Sequence, residues 1–346
     1  MTAAAGVLAL AGCSLTDPPD SVTAPTSVPT PDRATSAASP PAKGAVTPPS
    51  TGAPSSPATG TPSPVPPVPT ARDGDAEVDR ARLRDTVDAL AGRIGPREAS
   101  GQAFRRAARL VETRLTDLGY EVRRQRVPVP AGVSWGVPVP AGTSVNVVAV
   151  APGTDLDEPH LVVGAHLDTV PQAPGAADNA SGVSVVLEMA RLATLRPPPQ
   201  PVVFVAFGAE EPRGPGDDLH HFGSQAYVAS LDADQREALI GAIAIDTVGT
   251  SRTGVPVCTA RADTDDFTRG VRQAVRRAGL PVRACANRTS DHWSFVRNGL
   301  DGTRVGLAGH DEYPEYHSAG DEPQVVRDRS LAQAAEAVWA ALSREW

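Results

Sequence analysis

The sequence predicts an α/β fold in which a single domain has a mainly parallel mixed sheet sandwiched by helices, preceded by a disordered tail. Short, continuous apolar runs such as Val202 to Phe207 alternate with stretches in which apolar residues recur at helical spacing. Continuous rather than alternating apolar strands indicate a sheet that is covered on both faces. The composition changes near residue 72, where a Pro-, Ser- and Thr-rich segment gives way to this pattern.

The predicted elements follow one another closely. Apolar residues recur at helical spacing from Leu83 to Ile94 and from Phe104 to Leu118, and Gly119 suits a left-handed helix cap. Further helices are predicted over 183–195, 265–278 and 330–342. Strands are predicted over 121–127, 145–150, 161–164, 202–207, 240–245, 255–258, 282–285 and 304–307.

The amino-terminal sequence predicts a targeting signal followed by a linker. Residues 1–13 end in Leu10-Ala11-Gly12-Cys13, and small residues before a cysteine resemble the bacterial lipoprotein cleavage box. An ordinary secretory signal or a chance match are the alternatives, and no Lys or Arg precedes the apolar run as a signal peptide requires. Residues 14–72 have almost no large apolar side chains and are predicted to be a disordered linker. We therefore expect an extracytoplasmic domain over 73–346, anchored to the cell membrane through a lipid on Cys13.

The charge of the chain excludes one class of partner. The formal net charge is −8 and the isoelectric point is near 5.4. Binding to nucleic acid depends on clustered Lys and Arg that neutralise phosphates, and no basic stripe is present. We expect no nucleic-acid partner.

Residues 161–182 combine a strand, a polar loop and the start of a helix. The apolar run Leu161 to Val163 leads into a loop that carries His166, Asp168 and Asp178, and a glycine-rich turn follows. In open α/β sheets, ligands bind at the carboxyl ends of the strands. Imidazole and carboxylate close together suit a divalent metal such as zinc.

The remaining candidate ligands lie at later strand ends or in nearby loops. Glu210 and Glu211 follow the strand VVFVAFG, Asp246 follows IGAIAI, and His317 lies in PEYHSAGD. An isolated Glu-Glu pair or loop histidine is usually solvated surface. Their joint occurrence at successive strand ends predicts that they converge on one edge of the sheet.

Seven stretches together resemble the co-catalytic zinc exopeptidases typified by bacterial secreted leucyl aminopeptidases. They are, in order, GAHLDTV, GAADNASGV, FVAFGAEE, FGSQAYV, AIDTVG, SDHWSF and YHSAGD, and the likeness extends over roughly residues 80 to 345. The order and spacing of the set make the resemblance specific, although each stretch alone is weak. It also implies the phosphorylase/hydrolase-like version of the α/β fold.

The resemblance implies a site with two Zn²⁺ ions and assigns a role to each matching residue. Asp178 matches the carboxylate that bridges both ions, and Glu210 matches the general base that acts on a zinc-bridging water. Asp168 and Asp321 match carboxylates that orient the two histidine ligands. Besides Asp178, the resemblance implies His166 and Asp246 as ligands of one zinc ion and Glu211 and His317 as ligands of the other.

The expected function is hydrolysis of amino-terminal residues from peptide substrates. Three alternatives remain open at this stage. One is a single-zinc activity like that of the glutaminyl cyclases, and another is a carboxypeptidase of related fold. The third is a catalytically silent, peptidase-like binding module, which the presence of every ligand and of the base disfavours.

The sequence also supports predictions for several other residues and segments. His292 in SDHWSF fits a structural or orienting role better than ligation, and the loop from Arg213 to Phe222 lines the mouth of the site or is solvated surface. The segment VPVPAGVSWGVPVP is too short to be an inserted lid domain. Cys258 and Cys285 form either a disulfide, as is usual outside the cytoplasm, or two buried thiols.

Overall fold

The computed structural model describes residues 76–261, 264–307 and 313–346. The predicted lipoprotein segment and linker lie outside these residues. The strands are β1 (Glu121–Val129), β2 (Gly132–Ser134), β3 (Val137–Val139), β4 (Gly142–Val150), β5 (His160–His166), β6 (Val202–Phe207), β7 (Leu239–Ile245), β8 (Val255–Thr259), β9 (Val282–Ala286) and β10 (Gly302–Val305). The α-helices are α1 (Arg80–Val87), α2 (Gln102–Asp117), α3 (Ser181–Leu195), α4 (Phe222–Ala229), α5 (Ala233–Ala238), α6 (Asp266–Arg277), α7 (His292–Arg297) and α8 (Asp328–Leu342).

Eight strands form one mixed sheet in the order β1-β4-β6-β5-β7-β10-β8-β9, which confirms the predicted α/β fold. The four central strands β6, β5, β7 and β10 pair in parallel. β4 joins them antiparallel on one side, and β8 joins them antiparallel on the other. The carboxyl ends of the four central strands therefore lie at the same edge of the sheet.

Both faces of the central sheet are covered by helices, and alternate residues of a strand pack against opposite layers. Phe204 and Ala206 of β6 pack in the large core that also contains the apolar residues of α1, α2, α3 and α8. Val203, Val205 and Phe207 pack in a second core with residues of α4 and α7. Because successive side chains of a strand point to opposite faces, a strand buried on both faces is usually apolar throughout.

The predicted strand over 202–207 agrees with β6 at both ends, but three short helices were not predicted. α4, α5 and α7 have six to eight residues each. So few turns give too little periodicity to separate a helix from a loop. The segment VPVPAGVSWGVPVP forms the small hairpin β2–β3.

Cys258 and Cys285 form a disulfide between β8 and β9. The two residues are direct partners in the register of these parallel strands. Of the two alternatives that the sequence left open, the structure has the disulfide. None of the helices within the described ranges is long and apolar enough to cross a membrane.

Candidate metal centre

The predicted site residues lie at the edge formed by the carboxyl ends of the central strands. His166 is the last residue of β5 and is paired with Phe207, the last residue of β6. Glu210 and Glu211 therefore follow in the loop directly after the neighbouring strand. Asp246 comes immediately after β7, on the other side of β5. The parallel pairing of these strands is what brings side chains from distant parts of the sequence together.

Asp178 lies at the centre of this arrangement. Its Oδ1 is 3.0 Å from Nε2 of His166, and its Oδ2 is 3.0 Å from Nε2 of His317. The same Nε2 of His166 is 3.4 Å from Oδ1 of Asp246, and that of His317 is 3.5 Å from Oε2 of Glu211. One carboxylate thus faces an imidazole and a further carboxylate on each side.

Three groups of described residues bring possible ligand atoms within 4.8 Å of one another. Two of the groups share Asp178 and have the composition of the ligand sets that the resemblance implies, while the third brings Glu210 beside Glu211. The groups are His166–Asp178–Asp246, Asp178–Glu211–His317 and His166–Glu210–Glu211. The assignment of these residues as metal ligands stays a prediction.

Asp168 supports the neighbouring glutamates through their backbone. Its Oδ1 and Oδ2 accept hydrogen bonds from the N–H groups of Glu210 and Glu211, at 3.0 and 3.1 Å. Its carboxylate is 3.8 Å from Nδ1 of His166, while its backbone carbonyl oxygen is 3.2 Å from the same nitrogen. Because a carbonyl only accepts, this second contact requires the proton on Nδ1 and directs Nε2 toward Asp178.

The expected role of Asp321 differs from the contacts that the structure has. Its carboxylate accepts hydrogen bonds from the N–H groups of Ala177 and Asp178 and from the Tyr313 hydroxyl. Nδ1 of His317 has no hydrogen-bond partner among the described residues. Asp321 therefore orients the backbone of Asp178 rather than the ring of His317. A sequence match places a carboxylate near a site but does not tell which polar group it meets.

Burial, repulsion between carboxylates and contact with imidazoles shift the pKa values of the carboxylates in this centre. Burial raises the pKa of Glu211 well above its ordinary value, and the Asp178 and Glu210 carboxylates raise it further. Burial likewise raises the pKa of Glu210, to about 7. Burial acts to raise the pKa of Asp178 too, but its contacts with the imidazoles of His166 and His317 bring it well below the usual value. The centre holds more carboxylate than its imidazoles can neutralise.

The donor set therefore fits a divalent cation. Both carboxylate oxygens of Glu211 are buried and accept no hydrogen bond from the residues that the structure describes. Such atoms are costly to bury unless a cation or donor compensates them. Imidazole nitrogen and carboxylate oxygen are the ligands that zinc takes in proteins.

A buried arginine holds one of the predicted ligands, and sequence reasoning missed it. Arg304 has only 1% of its surface exposed, and its Nη2 is 3.2 Å from Oδ2 of Asp246. Its Nη1 donates to the carbonyl oxygen and to the hydroxyl of Thr289, the residue that directly precedes the SDHWSF segment. Burial acts to raise the pKa of Asp246, but the Arg304 charge keeps it below its ordinary value. An arginine in a predicted apolar strand is rare, and this was the signal that could have found it.

The loop before α4 also reaches the centre. His221 is buried, and its Nε2 is 3.1 Å from Oε1 of Glu210, so this part of the loop is not solvated surface.

The SDHWSF segment contributes two further buried titratable residues. Asp291 is buried, and burial together with Glu210 raises its pKa to about 7. His292 is part of none of the three metal-binding groups, and burial lowers its pKa to about 3. Its Nε2 is 3.0 Å from the Asn287 carbonyl oxygen.

The backbone is forced into an unfavourable conformation around the centre. Among the described residues, five that are not glycine have a positive φ between 45° and 62°, a region that L-residues seldom occupy. All five are predicted site residues, immediate neighbours of one, or in contact with one: Trp135, Ala209, His221, Thr247 and His317. The Asp178–Asn179 peptide bond is cis. Positive φ values at residues other than glycine persist where the surrounding structure fixes them, and they concentrate at functional sites.

Comparison with known proteins gives the family. The model of Peptidase family M28 matches residues 146–342, which include every predicted ligand and the predicted base. Aminopeptidase YwaD of Bacillus subtilis is 32% identical over 209 residues, which are 58% of this chain and 44% of that protein. The probable lipoprotein aminopeptidase LpqL of Mycobacterium tuberculosis is 44% identical over 75 residues, 21% of this chain and 14% of that protein. The chain thus spans less than half the length of these relatives.

Solved structures share the fold. The zinc aminopeptidase BSAP from Bacillus subtilis superposes with a TM-score of 0.68 and 21% identity, covering 77% of this chain and 95% of that one. A glutaminyl cyclase from Bacteroides thetaiotaomicron superposes with a TM-score of 0.66 and 18% identity, covering 78% and 99%. At these identities the comparison establishes the fold alone, and both enzyme classes have it.

Proposed function

Because the chain belongs to peptidase family M28, we propose that it is an aminopeptidase that uses two zinc ions to remove amino-terminal residues from peptides. The observation that supports this proposal best is the position of Asp178, whose two oxygens are each 3.0 Å from an imidazole nitrogen of a different histidine. A carboxylate with both oxygens engaged in this way suits a bridge between two metals. His166 and Asp246 would complete one zinc site, and Glu211 and His317 the other.

The proposed chemistry assigns the proton transfers to Glu210. Zinc ions bound by these residues would polarise the scissile carbonyl and lower the pKa of a water to near neutral. Glu210 lies beside the ligands without belonging to either proposed zinc set, so its carboxylate is free to accept the proton of the attacking water and to deliver it to the leaving amine. The backbone hydrogen bond from Glu210 to Asp168 fixes the position from which it does so.

Hydrolysis of aminoacyl-p-nitroanilides by the purified chain, loaded with zinc, tests the proposal. We expect release of nitroaniline from substrates with a free α-amine and none from their N-acetylated counterparts. Zinc should bind at about two ions per chain, as the two triads sharing one carboxylate require. Absence of hydrolysis with zinc content near zero would overturn the proposal.

The shared fold with a glutaminyl cyclase makes cyclisation the second candidate. A peptide with amino-terminal glutamine separates the two reactions, because cyclisation releases ammonia and keeps the residue, whereas hydrolysis releases free glutamine. A single bound zinc together with ammonia release would favour the cyclase. The two ligand triads favour hydrolysis.

We also propose that a lipid on Cys13 anchors the enzyme outside the cytoplasm. The cleavage-box pattern before Cys13 supports this, and so does similarity to a relative named as a probable lipoprotein. Expressed in a bacterial host, the chain should incorporate labelled palmitate and sediment with membranes, and Cys13→Ser should do neither. Equal labelling of the two forms would contradict the anchor.

A further inference from the structure

A tryptophan at the tip of the β2–β3 hairpin lies at the rim of the metal centre. The ring of Trp135 is 4.3 Å from the ring of His317, at an angle of 68°. Tyr316 stacks on the same imidazole at 3.6 Å. Trp135 is nevertheless 47% exposed, whereas His317 is 8% exposed. An apolar surface is thus presented to solvent directly beside a predicted zinc ligand.

The hairpin is hydrogen-bonded to the segment after β6 that carries the predicted base, Glu210. Arg213, two residues after Glu211, donates from Nη1 to the carbonyl oxygens of Pro130 and Pro140, which flank the hairpin at its two ends. Its own carbonyl oxygen accepts a hydrogen bond from the N–H group of Val133. The position of Trp135 relative to the centre is therefore set by contacts independent of the indole itself.

The turn is a poor place for tryptophan on conformational grounds. Trp135 and Gly136 connect the two strands with φ values of 45° and 81°. Two-residue turns with both φ values positive favour Asn-Gly, because asparagine and glycine tolerate the left-handed region. An unfavourable residue held at the rim of a site points to a role for its side chain.

We propose that Trp135 forms one wall of the pocket for the amino-terminal residue of the substrate and selects apolar or aromatic side chains there. This inference rests on the proposed aminopeptidase function. A flat indole beside a zinc ligand offers a surface on which a leucine or phenylalanine side chain is desolvated, while glycine gains nothing from it.

Trp135→Asn tests the proposal, because it removes the indole and installs the preferred turn sequence. For leucyl- and phenylalanyl-p-nitroanilide we expect kcat/KM to fall about tenfold, mainly through KM, and glycyl-p-nitroanilide to change less than about twofold. Zinc content and the melting temperature should not fall. Trp135→Phe should retain the preference, and Val133→Ala, an exposed apolar change on the same hairpin, should leave it unchanged.

An equal loss for all substrates, or no loss, would overturn the inference, since the indole would then only support His317 or do nothing. A binding measurement separates this failure from failure of the proposed function. Calorimetry with leucinamide, phenylalaninamide and glycinamide needs no turnover. If the wild-type chain hydrolyses nothing but binds the apolar amides more tightly, and Trp135→Asn removes that difference, the pocket assignment stands while the aminopeptidase proposal fails. Equal binding of the three amides by the wild-type chain refutes the assignment.

Discussion

Replacing Glu210 by Gln should lower kcat at least about 100-fold while bound zinc stays at the wild-type level. The amide has the same shape as the carboxylate but cannot accept the proton of the attacking water. Its backbone N–H still donates to Asp168, so the neighbouring Glu211 keeps its position. Nitroaniline release gives kcat, and mass spectrometry of the dialysed protein gives the zinc content.

Glu237→Gln is a matched control, because it makes the same chemical change on an exposed helix away from the centre. It should leave both measurements unchanged. If Glu210→Gln retained turnover within about tenfold of wild type, general base catalysis would have to come from another group, since a positioned base contributes about 10²–10⁴-fold.

The second large effect is expected from Asp178→Asn, which should remove most of the bound zinc and all measurable turnover. The substitution takes a negative charge from both triads at once, because the two oxygens of Asp178 face the two histidines. Asp246→Asn and Glu211→Gln each alter one triad and should each leave about one zinc ion per chain. Zinc titration by calorimetry compares the three variants with the wild-type chain.

The fold should survive Asp178→Asn, because Asp321 holds residue 178 through its backbone N–H rather than its side chain. Similar melting temperatures of the metal-free wild-type and variant chains would show this. Two tightly bound zinc ions in a folded Asp178→Asn chain would contradict the bridging role.

Much of the architecture could be predicted because the central strands are buried on both faces. A continuous apolar run such as Val202–Phe207 has few alternatives in an α/β protein, and the polar residues that follow it must lie at the edge of the sheet. His166, Glu210, Glu211 and Asp246 are all within four residues of a strand end. The structure brings them together for that reason.

Contacts between distant segments could not be predicted in the same way. The meeting of Arg304 with Asp246 depends on the pairing of β10 beside β7, and no local pattern encodes that register. The approach of His221 to Glu210 depends on a loop whose backbone enters the left-handed region. The partners of Asp321 were misjudged because a carboxylate can serve a ring or a backbone amide equally well.

The five left-handed residues around the centre have a consequence for engineering. Glycine at Ala209 or Thr247 would relieve the backbone, so screens that reward survival of heating should recover such changes readily. The same changes would loosen the segments that aim Glu210 and Asp246. Heat-resistant clones from such a screen should therefore be checked for slower catalysis. In this protein the same few backbone positions would affect both thermal stability and catalytic rate.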